Sequence, residues 1–151
     1  MVRVLFVCLG NICRSPMAEA VFDHLVLKAG LEHQIESDSA GTGEWHIGKP
    51  PHMGTRHVLQ ANDIPCSHLA RLLVRDDLDT FDYVIPMDEA NREDIEALGI
   101  GTAKVISLMQ FAPEKGVVEV PDPYYTGRFE EVFELVKAGC EGLLKTLQTE
   151  I

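Results

Sequence analysis

The sequence lacks the features that mark nucleic-acid-binding and membrane proteins. Its 151 residues include only 13 Lys and Arg against 24 Asp and Glu, giving a formal net charge of −11. Because phosphate backbones are held by basic surfaces, this balance argues against a nucleic-acid partner. No apolar run approaches the roughly 20 residues that span a bilayer, and the short run from Val2 to Val7 has no cleavable signal pattern, so we expect no membrane association.

Cysteine is also scarce, and its spacing excludes the usual metal and disulfide frameworks. The four cysteines are Cys8, Cys13, Cys66 and Cys140. They form no C-x-x-C pair and no Cys/His pattern of a zinc site, so we expect no metal. The Gly99-Ile100-Gly101 segment lacks the third glycine of a dinucleotide fingerprint, and no Walker lysine motif occurs, so we expect no cofactor. Free thiols and a cytoplasmic location follow as expectations.

The apolar residues alternate between strand and helix patterns over a length suited to one domain. Strands are predicted over residues 2–7, 34–40, 81–86 and 103–108. Helices are predicted from Ser15-Pro16 to Gly30 and over 53–62, 88–98 and 129–147, with a long loop over 112–127. These patterns predict an α/β fold over residues 1–151: a three-layer sandwich in which helices cover both faces of a four-stranded parallel sheet of flavodoxin-like topology.

The segment VCLGNICRSP joins the first predicted strand to the first predicted helix. Cys8 ends the strand, and ligands bind at the carboxyl ends of such strands. A short loop at a helix N-terminus points backbone N–H groups inward and forms a cradle for an anion, and Arg14 adds a forked donor that matches phosphate. The predicted phosphate-binding loop consists of Leu9, Gly10, Asn11, Ile12, Cys13, Arg14 and Ser15.

Cys8 is the predicted nucleophile of this loop. A thiol at a helix N-terminus beside an arginine is more acidic than a free thiol, and the thiolate is the reactive form. We expect Ser15 to begin the helix as its N-cap, with Pro16 at the first helical position, and to donate a hydrogen bond to the sulfur. Gly10 is expected to permit a turn that a Cβ would forbid, and Asn11 to adopt a left-handed conformation or to tie down the loop.

The run VLFVCLGNICRSPMAE resembles the signature of the low molecular weight protein tyrosine phosphatases. Further segments fall in the family's order over nearly the whole chain: Asp38–Thr42, Trp45, His68–Arg71, Met87-Asp88 and Asp122–Tyr125. The resemblance implies phosphomonoester hydrolysis without a metal, through a cysteinyl-phosphate. It also implies phosphotyrosine proteins or small aryl phosphates as substrates.

Hydrolysis by this route needs a proton donor for the leaving oxygen. The segment Pro121-Asp122-Pro123 fits, because the two prolines restrict the backbone around Asp122. Asp122 is therefore predicted to act as general acid in the first step and as base for water in the second. The predicted aromatic walls of the substrate pocket are Trp45, Tyr124 and Tyr125.

A supporting network is also expected beneath the loop. His68 matches a family histidine that hydrogen-bonds the loop asparagine, so it is predicted to link Asn11 and Ser39. The other histidines of the polar stretch are expected on the surface rather than as metal ligands: His46, His52 and His57. Cys140 lies on the apolar stripe of the last helix and is expected in the core.

The sequence leaves two alternative functions open. Thiol-coupled arsenate reductases share this fold and loop, but they need two further redox cysteines past the third strand, and none lies between Tyr83 and Gly127. A catalytically dead phospho-binding module is the second alternative, although nucleophile and acid are both present. The sequence also leaves open whether Cys8 and Cys13 form a regulatory disulfide and whether Tyr124 or Tyr125 is phosphorylated.

Overall fold

The computed structural model describes residues 1–151 and contains one sheet of four parallel strands. These are β1 Val2–Cys8, β2 Ile35–Gly41, β3 Tyr83–Pro86 and β4 Lys104–Val105, in the spatial order β2-β1-β3-β4. The longest run of fully buried strand residues lies in the central strand β1, as expected where helices cover both faces. The predicted α/β class and parallel sheet are confirmed.

Six α-helices surround the sheet. They are α1 Arg14–Lys28, α2 Met53–Ala61, α3 Asp77–Thr80, α4 Glu89–Ala97, α5 Pro123–Thr126 and α6 Phe129–Gln148, with two 3-10 helices at Leu108–Phe111 and Pro113–Lys115. None of these helices combines the length and apolar character that crossing a bilayer would require.

The side chains of β1 alternate between two separate cores, which makes the fold three-layered. Val4 and Phe6 lie in the larger core with residues of α1, α2 and α6. Leu5 and Val7 point the other way, into a smaller core that includes Leu78 of α3 and Ile95 of α4. This division follows from the two-residue period of a strand. The loop that follows β1 therefore begins at the edge of both cores.

The predicted start of α1 is wrong by two residues, and its predicted cap is absent. The helix begins at Arg14, and no side chain caps it. The Ser15 hydroxyl lies 2.9 Å from the Cys8 sulfur instead, so it is not available as a cap. Pro16 occupies the third helical position, where its missing N–H removes no helical hydrogen bond. The helix ends as expected, with Gly30 in the left-handed conformation (φ 71°).

The later strands are shorter than predicted, and the long loop contains structure that the sequence did not indicate. Only Lys104–Val105 pairs as β4, because the chain then turns into the 3-10 helix of Leu108, whose side chain packs against Gly139 of α6. Within 112–127, Asp122 caps the short helix α5 by accepting a hydrogen bond from the Tyr124 amide. Four residues are too few to show a helical period.

Candidate active site

A cavity of about 350 Å³ opens at the carboxyl end of β1. It is lined by Cys8, Leu9, Gly10, Ile12, Cys13, Arg14, Trp45, His46, Asp122, Tyr124 and Tyr125. The structure therefore brings together the predicted nucleophile, arginine, acid and aromatic walls from three separate segments of the chain. The other predicted site residues lie beneath this cavity as buried or half-buried partners of the loop: Asn11, Ser15, Ser39 and His68.

The loop between β1 and α1 carries a set of unused donors. The amide N–H groups of residues 9–14 donate no hydrogen bond to any backbone or side-chain acceptor of the protein. The Ser15 amide lies 3.4 Å from the Cys8 sulfur. Asn11 has φ 57°, a left-handed conformation that asparagine tolerates better than most residues and that turns the loop around the sulfur. Such a ring of amides at a helix N-terminus is suited to a tetrahedral anion.

Gly10 has a role other than the predicted one. Its φ is not left-handed, so the loop does not need glycine for its backbone conformation. A Cβ on Gly10 would instead lie 2.9 Å from the ring of His46, which lines the same cavity. His46 therefore belongs to the cavity wall, where its side chain is half-buried.

Arg14 is held between two carboxylates, and its Nε nitrogen has no partner in the protein. Its side chain is 2% exposed, and Nη1 lies 2.5 Å from Asp88 Oδ2 and 3.0 Å from the Val120 carbonyl. Nη2 lies 3.4 Å from Asp122 Oδ2. Burial opposes its charge, but the nearby Cys8 and the two carboxylates outweigh burial and raise the pKa of Arg14. Its Nε–H is buried without a partner, so it is available to an oxygen of a bound anion.

The cavity wall is aromatic and partly exposed. Trp45 and Tyr125 are 67% and 76% exposed, as expected of residues that cover a ligand rather than the core. Trp45 folds back onto Gly43, where a Cβ would lie 1.9 Å from its ring. Tyr124 packs edge-to-face against Tyr125, with ring centroids 5.3 Å apart. A planar aromatic group fits between such walls.

A single amide sets the direction of the hydrogen bonds beneath the loop. The Arg71 backbone N–H can only donate, and it lies 3.0 Å from Asn11 Oδ1, which identifies that atom as the oxygen. Asn11 Nδ2 therefore donates to Ser15 Oγ at 2.8 Å and to Ser39 Oγ at 3.0 Å. Because the Ser15 oxygen accepts from Asn11, its own proton is directed to the Cys8 sulfur at 2.9 Å. The network thus directs a hydrogen-bond donor at the Cys8 sulfur.

Two comparisons place this geometry in a known family. The family profile of the low molecular weight phosphotyrosine protein phosphatases matches residues 3–151. The low molecular weight protein-tyrosine-phosphatase YfkJ of Bacillus subtilis is 50% identical over 153 residues, which cover 99% of this chain and 98% of that protein. The chain belongs to the low molecular weight phosphotyrosine protein phosphatase family. The family and the hydrolase class that the sequence indicated are confirmed.

Solved structures extend the likeness to the whole fold. The crystal structure of YfkJ has a TM-score of 0.96 and covers 99% of this chain and 96% of its own. The crystal structure of DARP, a Drosophila arginine phosphatase, is 33% identical with a TM-score of 0.90, covering 95% of this chain and 96% of its own. Proteins with this fold are therefore named both as tyrosine phosphatases and as an arginine phosphatase.

Two carboxyl groups of this low molecular weight phosphatase were missed by the sequence analysis. Asp88 binds Arg14, although 74 positions separate them, and Glu19 binds Ser39 and His68 from α1. Glu19 lies about one and a half helical turns after the loop. Its neighbours on α1 are buried, and a charged residue among buried positions could have indicated that Glu19 has a buried partner. The contact between Asp88 and Arg14 was harder to predict, because an Asp immediately before a helix is ordinarily explained as its N-cap.

Cys13 and the Glu19 cluster differ in chemistry from the Cys8 site. Burial and then the neighbouring Cys8 raise the pKa of Cys13 to about 12, so this second loop thiol stays protonated at neutral pH. Glu19, Asp38 and His68 place potential metal ligands within 4.8 Å of one another. The Arg71 guanidinium already neutralises Asp38 at 3.0 Å, which disfavours a further cation there.

Proposed function

We propose that the chain is a single phosphatase domain, residues 1–151, that hydrolyses phosphotyrosine in proteins or small aryl phosphates through a cysteinyl-phosphate. Cys8 is the nucleophile, Arg14 and the amides of the loop bind the phosphate, and Asp122 is the general acid and base. One observation carries the proposal: unused amide donors and the unpartnered Arg14 Nε–H surround one thiol that receives a hydrogen bond. This arrangement matches a tetrahedral oxyanion held against a sulfur.

In the first step the Cys8 thiolate attacks phosphorus. The S–P bond forms, the P–O bond to the leaving group breaks, and the proton of the Asp122 carboxyl goes to the leaving oxygen. Asp122 is placed for this role by the Tyr124 amide, which donates to its Oδ1 at 3.1 Å. The amides and Arg14 stabilise the charge on the equatorial oxygens as the transition state forms.

In the second step water releases the phosphate. The Asp122 carboxylate takes a proton from water, whose oxygen attacks phosphorus, and the S–P bond breaks with its electron pair returning to sulfur. The Ser15 hydroxyl donates to that sulfur, which makes it a better leaving group. Asn11, Ser39 and His68 hold Ser15 in place.

The direct test compares three forms of the protein on para-nitrophenyl phosphate. Cys8→Ser should abolish turnover, and Asp122→Ala should lower kcat by about 10²–10⁴. Cys13→Ser removes the other loop thiol and should keep most of the activity, so it serves as the matched control. Full turnover in the Cys8→Ser form would refute the proposed mechanism.

The substrate class can be separated by competition. The aromatic walls formed by Trp45, Tyr124 and Tyr125 favour a phosphorylated ring. A relative named as an arginine phosphatase makes phosphoarginine the second candidate. We expect kcat/KM to be higher for a phosphotyrosine peptide than for a phosphoarginine peptide of the same sequence, and trapping with Asp122→Ala to enrich phosphotyrosine proteins.

The two alternative functions have less support from the site. A thiol-coupled arsenate reductase needs further thiols near the nucleophile, but Cys66 and Cys140 do not line the cavity, and Cys140 is fully buried. A dead binding module would bind phosphotyrosine peptide without turnover. Measuring arsenate reduction with a thiol donor beside aryl phosphate hydrolysis separates all three.

We also propose a cytoplasmic location and no nucleic-acid partner. Four free cysteines, three of them buried, suit a reducing compartment. The net charge of −11 opposes binding to a phosphate backbone. Cell fractionation and a DNA-retention assay at low salt test these two points.

A further inference from the structure

We propose that His52 is a positioning residue of the substrate pocket. Its ring holds the Tyr124 side chain in place as an aromatic wall, and the affinity for the aryl group of a phosphate ester depends on that contact. His52 is half-buried and does not line the cavity itself, so it acts through Tyr124. The inference rests on the proposed function, because it concerns how the proposed substrate is recognised.

The His52 ring is fixed at the N-terminus of α2. The backbone N–H of His52 donates to the Ile12 carbonyl of the phosphate-binding loop at 2.7 Å, and the Gly54 amide nitrogen lies 3.0 Å from His52 Nδ1. An amide nitrogen can only donate, so Nδ1 accepts and the neutral ring carries its proton on Nε2. His52 is thus tied to the loop by its backbone and to α2, as N-cap, by its ring.

One face of the same ring is covered by Phe129, the first residue of α6. The two rings are stacked, with centroids 4.9 Å apart and an angle of 20° between their planes. Gly54 permits this approach, because a Cβ there would lie 2.5 Å from the Phe129 ring. Phe129 in turn packs against a small core cluster that includes Ile12 and Cys13 of the loop. With its Nδ1 bonded and one face covered, the His52 ring is held in one orientation.

Tyr124 packs against this fixed ring. The His52 and Tyr124 rings meet edge-to-face, with centroids 6.0 Å apart and an angle of 78° between their planes. Tyr124 is 51% exposed, and its other ring contacts are with His46 at 6.0 Å and Tyr125 at 5.3 Å. Tyr125 is mostly exposed, and His46 Nδ1 has no hydrogen-bond partner. Of these three neighbours, His52 is the one that a hydrogen bond and a stacked ring both hold in place, so it anchors the Tyr124 wall.

This contact separates two parts of substrate binding. The loop amides and Arg14 hold the phosphate, whereas the aromatic wall is placed to contact the aryl group. The backbone amide of Tyr124 donates to Asp122 Oδ1 at 3.1 Å whatever the position of its side chain, so a displaced Tyr124 ring leaves the proton donor in place. Loss of the His52 ring should therefore weaken binding of the aryl group without changing kcat or the affinity for phosphate itself.

The test uses two substitutions that divide the contacts of His52. His52→Asn keeps a side-chain acceptor for the cap and removes the ring, whereas His52→Phe keeps a ring for both aromatic contacts and removes the cap. The probe is phenylphosphonate, a non-hydrolysable analogue of an aryl phosphate. Its binding is followed by the fluorescence of Trp45, the single tryptophan of the chain, which lines the cavity.

We expect His52→Asn to bind phenylphosphonate about three- to tenfold more weakly, and to raise KM for para-nitrophenyl phosphate by the same factor. Its kcat and its inhibition by inorganic phosphate should not change. His52→Phe should bind the probe like the wild type but melt at a lower temperature. If His52 served only as a cap, His52→Asn would bind like the wild type, and that result would overturn the inference. A His52→Phe protein that bound as weakly as His52→Asn would overturn it as well.

His57→Asn is the matched control, because His57 is an exposed histidine of α2 that does not line the cavity. It should leave KM and the affinity for phenylphosphonate unchanged. A double-mutant cycle with Tyr124→Ala identifies the route of the effect: His52→Asn should cause no further loss of affinity once the Tyr124 ring is absent. A full further loss in that background would show that His52 acts independently of Tyr124, contrary to the inference.

The binding readout needs no turnover, so it separates two kinds of failure. If Cys8→Ser kept activity while His52→Asn still weakened phenylphosphonate binding, the proposed mechanism would fail and the role of His52 would stand. If Cys8→Ser abolished activity while His52→Asn bound like the wild type, the mechanism would stand and the role of His52 would fail.

Discussion

At the scale of single residues, Asn11 combines a backbone role with a side-chain role. Its φ of 57° shapes the loop, and its amide bonds Ser15, Ser39, His68 and the Arg71 backbone. Glycine would keep the backbone conformation and lose the bonds, whereas alanine would lose the bonds and add left-handed strain. Both variants should lower kcat similarly, and Asn11→Ala should be about 1 kcal/mol less stable than Asn11→Gly by urea unfolding.

This pair of variants separates two explanations of Asn11. Equal stability of the two variants would mean that the loop relaxes out of the left-handed conformation once the amide is removed. A wild-type kcat in Asn11→Gly would mean that the side-chain bonds do not hold the nucleophile.

Glu19 should also make stability depend on pH. Because its pKa is raised from 4.5 to about 7, the folded protein keeps a proton that the unfolded chain releases above pH 4.5. The contribution of protonated Glu19 to the free energy of unfolding is full below pH 4.5 and is lost as the pH rises through 7. The stability of the wild type relative to Glu19→Gln should therefore fall across this range, by up to about 3 kcal/mol.

Urea unfolding of both proteins at several values between pH 4 and 8 measures this difference. Glu93→Gln, a change at an exposed carboxyl of α4, should give a flat difference over the same range. A difference that rises with pH would show that the fold stabilises the charged form of Glu19.

The residues of the loop were predictable because they are contiguous, whereas their partners were not. A cysteine, a glycine, an asparagine and an arginine within seven positions predict an anion cradle from local geometry alone. Glu19 and Asp88 reach the loop through tertiary packing, and a carboxyl on a helix is ordinarily a solvated residue. Only the three-dimensional structure distinguishes these two from the other acidic side chains.

At the scale of elements, Asp88 at the N-terminus of α4 makes two different contacts. Asp88 Oδ1 caps the helix by accepting from the Asn91 amide at 2.8 Å, and its Oδ2 holds Arg14. Asparagine caps as well as aspartate but brings no charge to the guanidinium. Asp88→Asn should therefore keep the melting temperature while lowering kcat about tenfold, because Arg14 is less firmly oriented.

Asp88→Ala completes the comparison, since it removes both tasks. It should lose the same factor in kcat as Asp88→Asn and about 1 kcal/mol of stability in addition. If Asp88→Asn turned over like the wild type, the carboxylate would be a cap only, and the position of Arg14 would depend on Val120 and Asp122.

The elements themselves were predicted to different degrees, for reasons of length. The long stripe of α6 and the apolar run of β1 follow from periodicity, because many residues report the same pattern. β4 and α5 consist of two and four residues, so their existence depends on neighbours: β4 on pairing with β3, and α5 on the capping side chain of Asp122. Short elements of this kind leave no period in the sequence.

At the scale of the whole molecule, a site for a dianion lies in a protein of net charge −11. The loop amides and Arg14 attract phosphate at short range, but the surrounding surface repels it at distances beyond the cavity. Salt screens the long-range repulsion more than the buried short-range attraction. The value of kcat/KM for an aryl phosphate dianion should therefore rise about two- to threefold between 10 and 150 mM ionic strength.

A charge variant tests the same idea without added salt. Glu32 and Glu141 are exposed and do not line the cavity. Replacing both by lysine removes two negative charges and adds two positive ones, so the formal net charge becomes −7. We expect the double variant to raise kcat/KM at 10 mM ionic strength, to leave kcat unchanged, and to show a weaker rise with salt. A kcat/KM that falls with salt in the wild type would show that the local field of Arg14 and the loop extends beyond the cavity and dominates the approach of substrate.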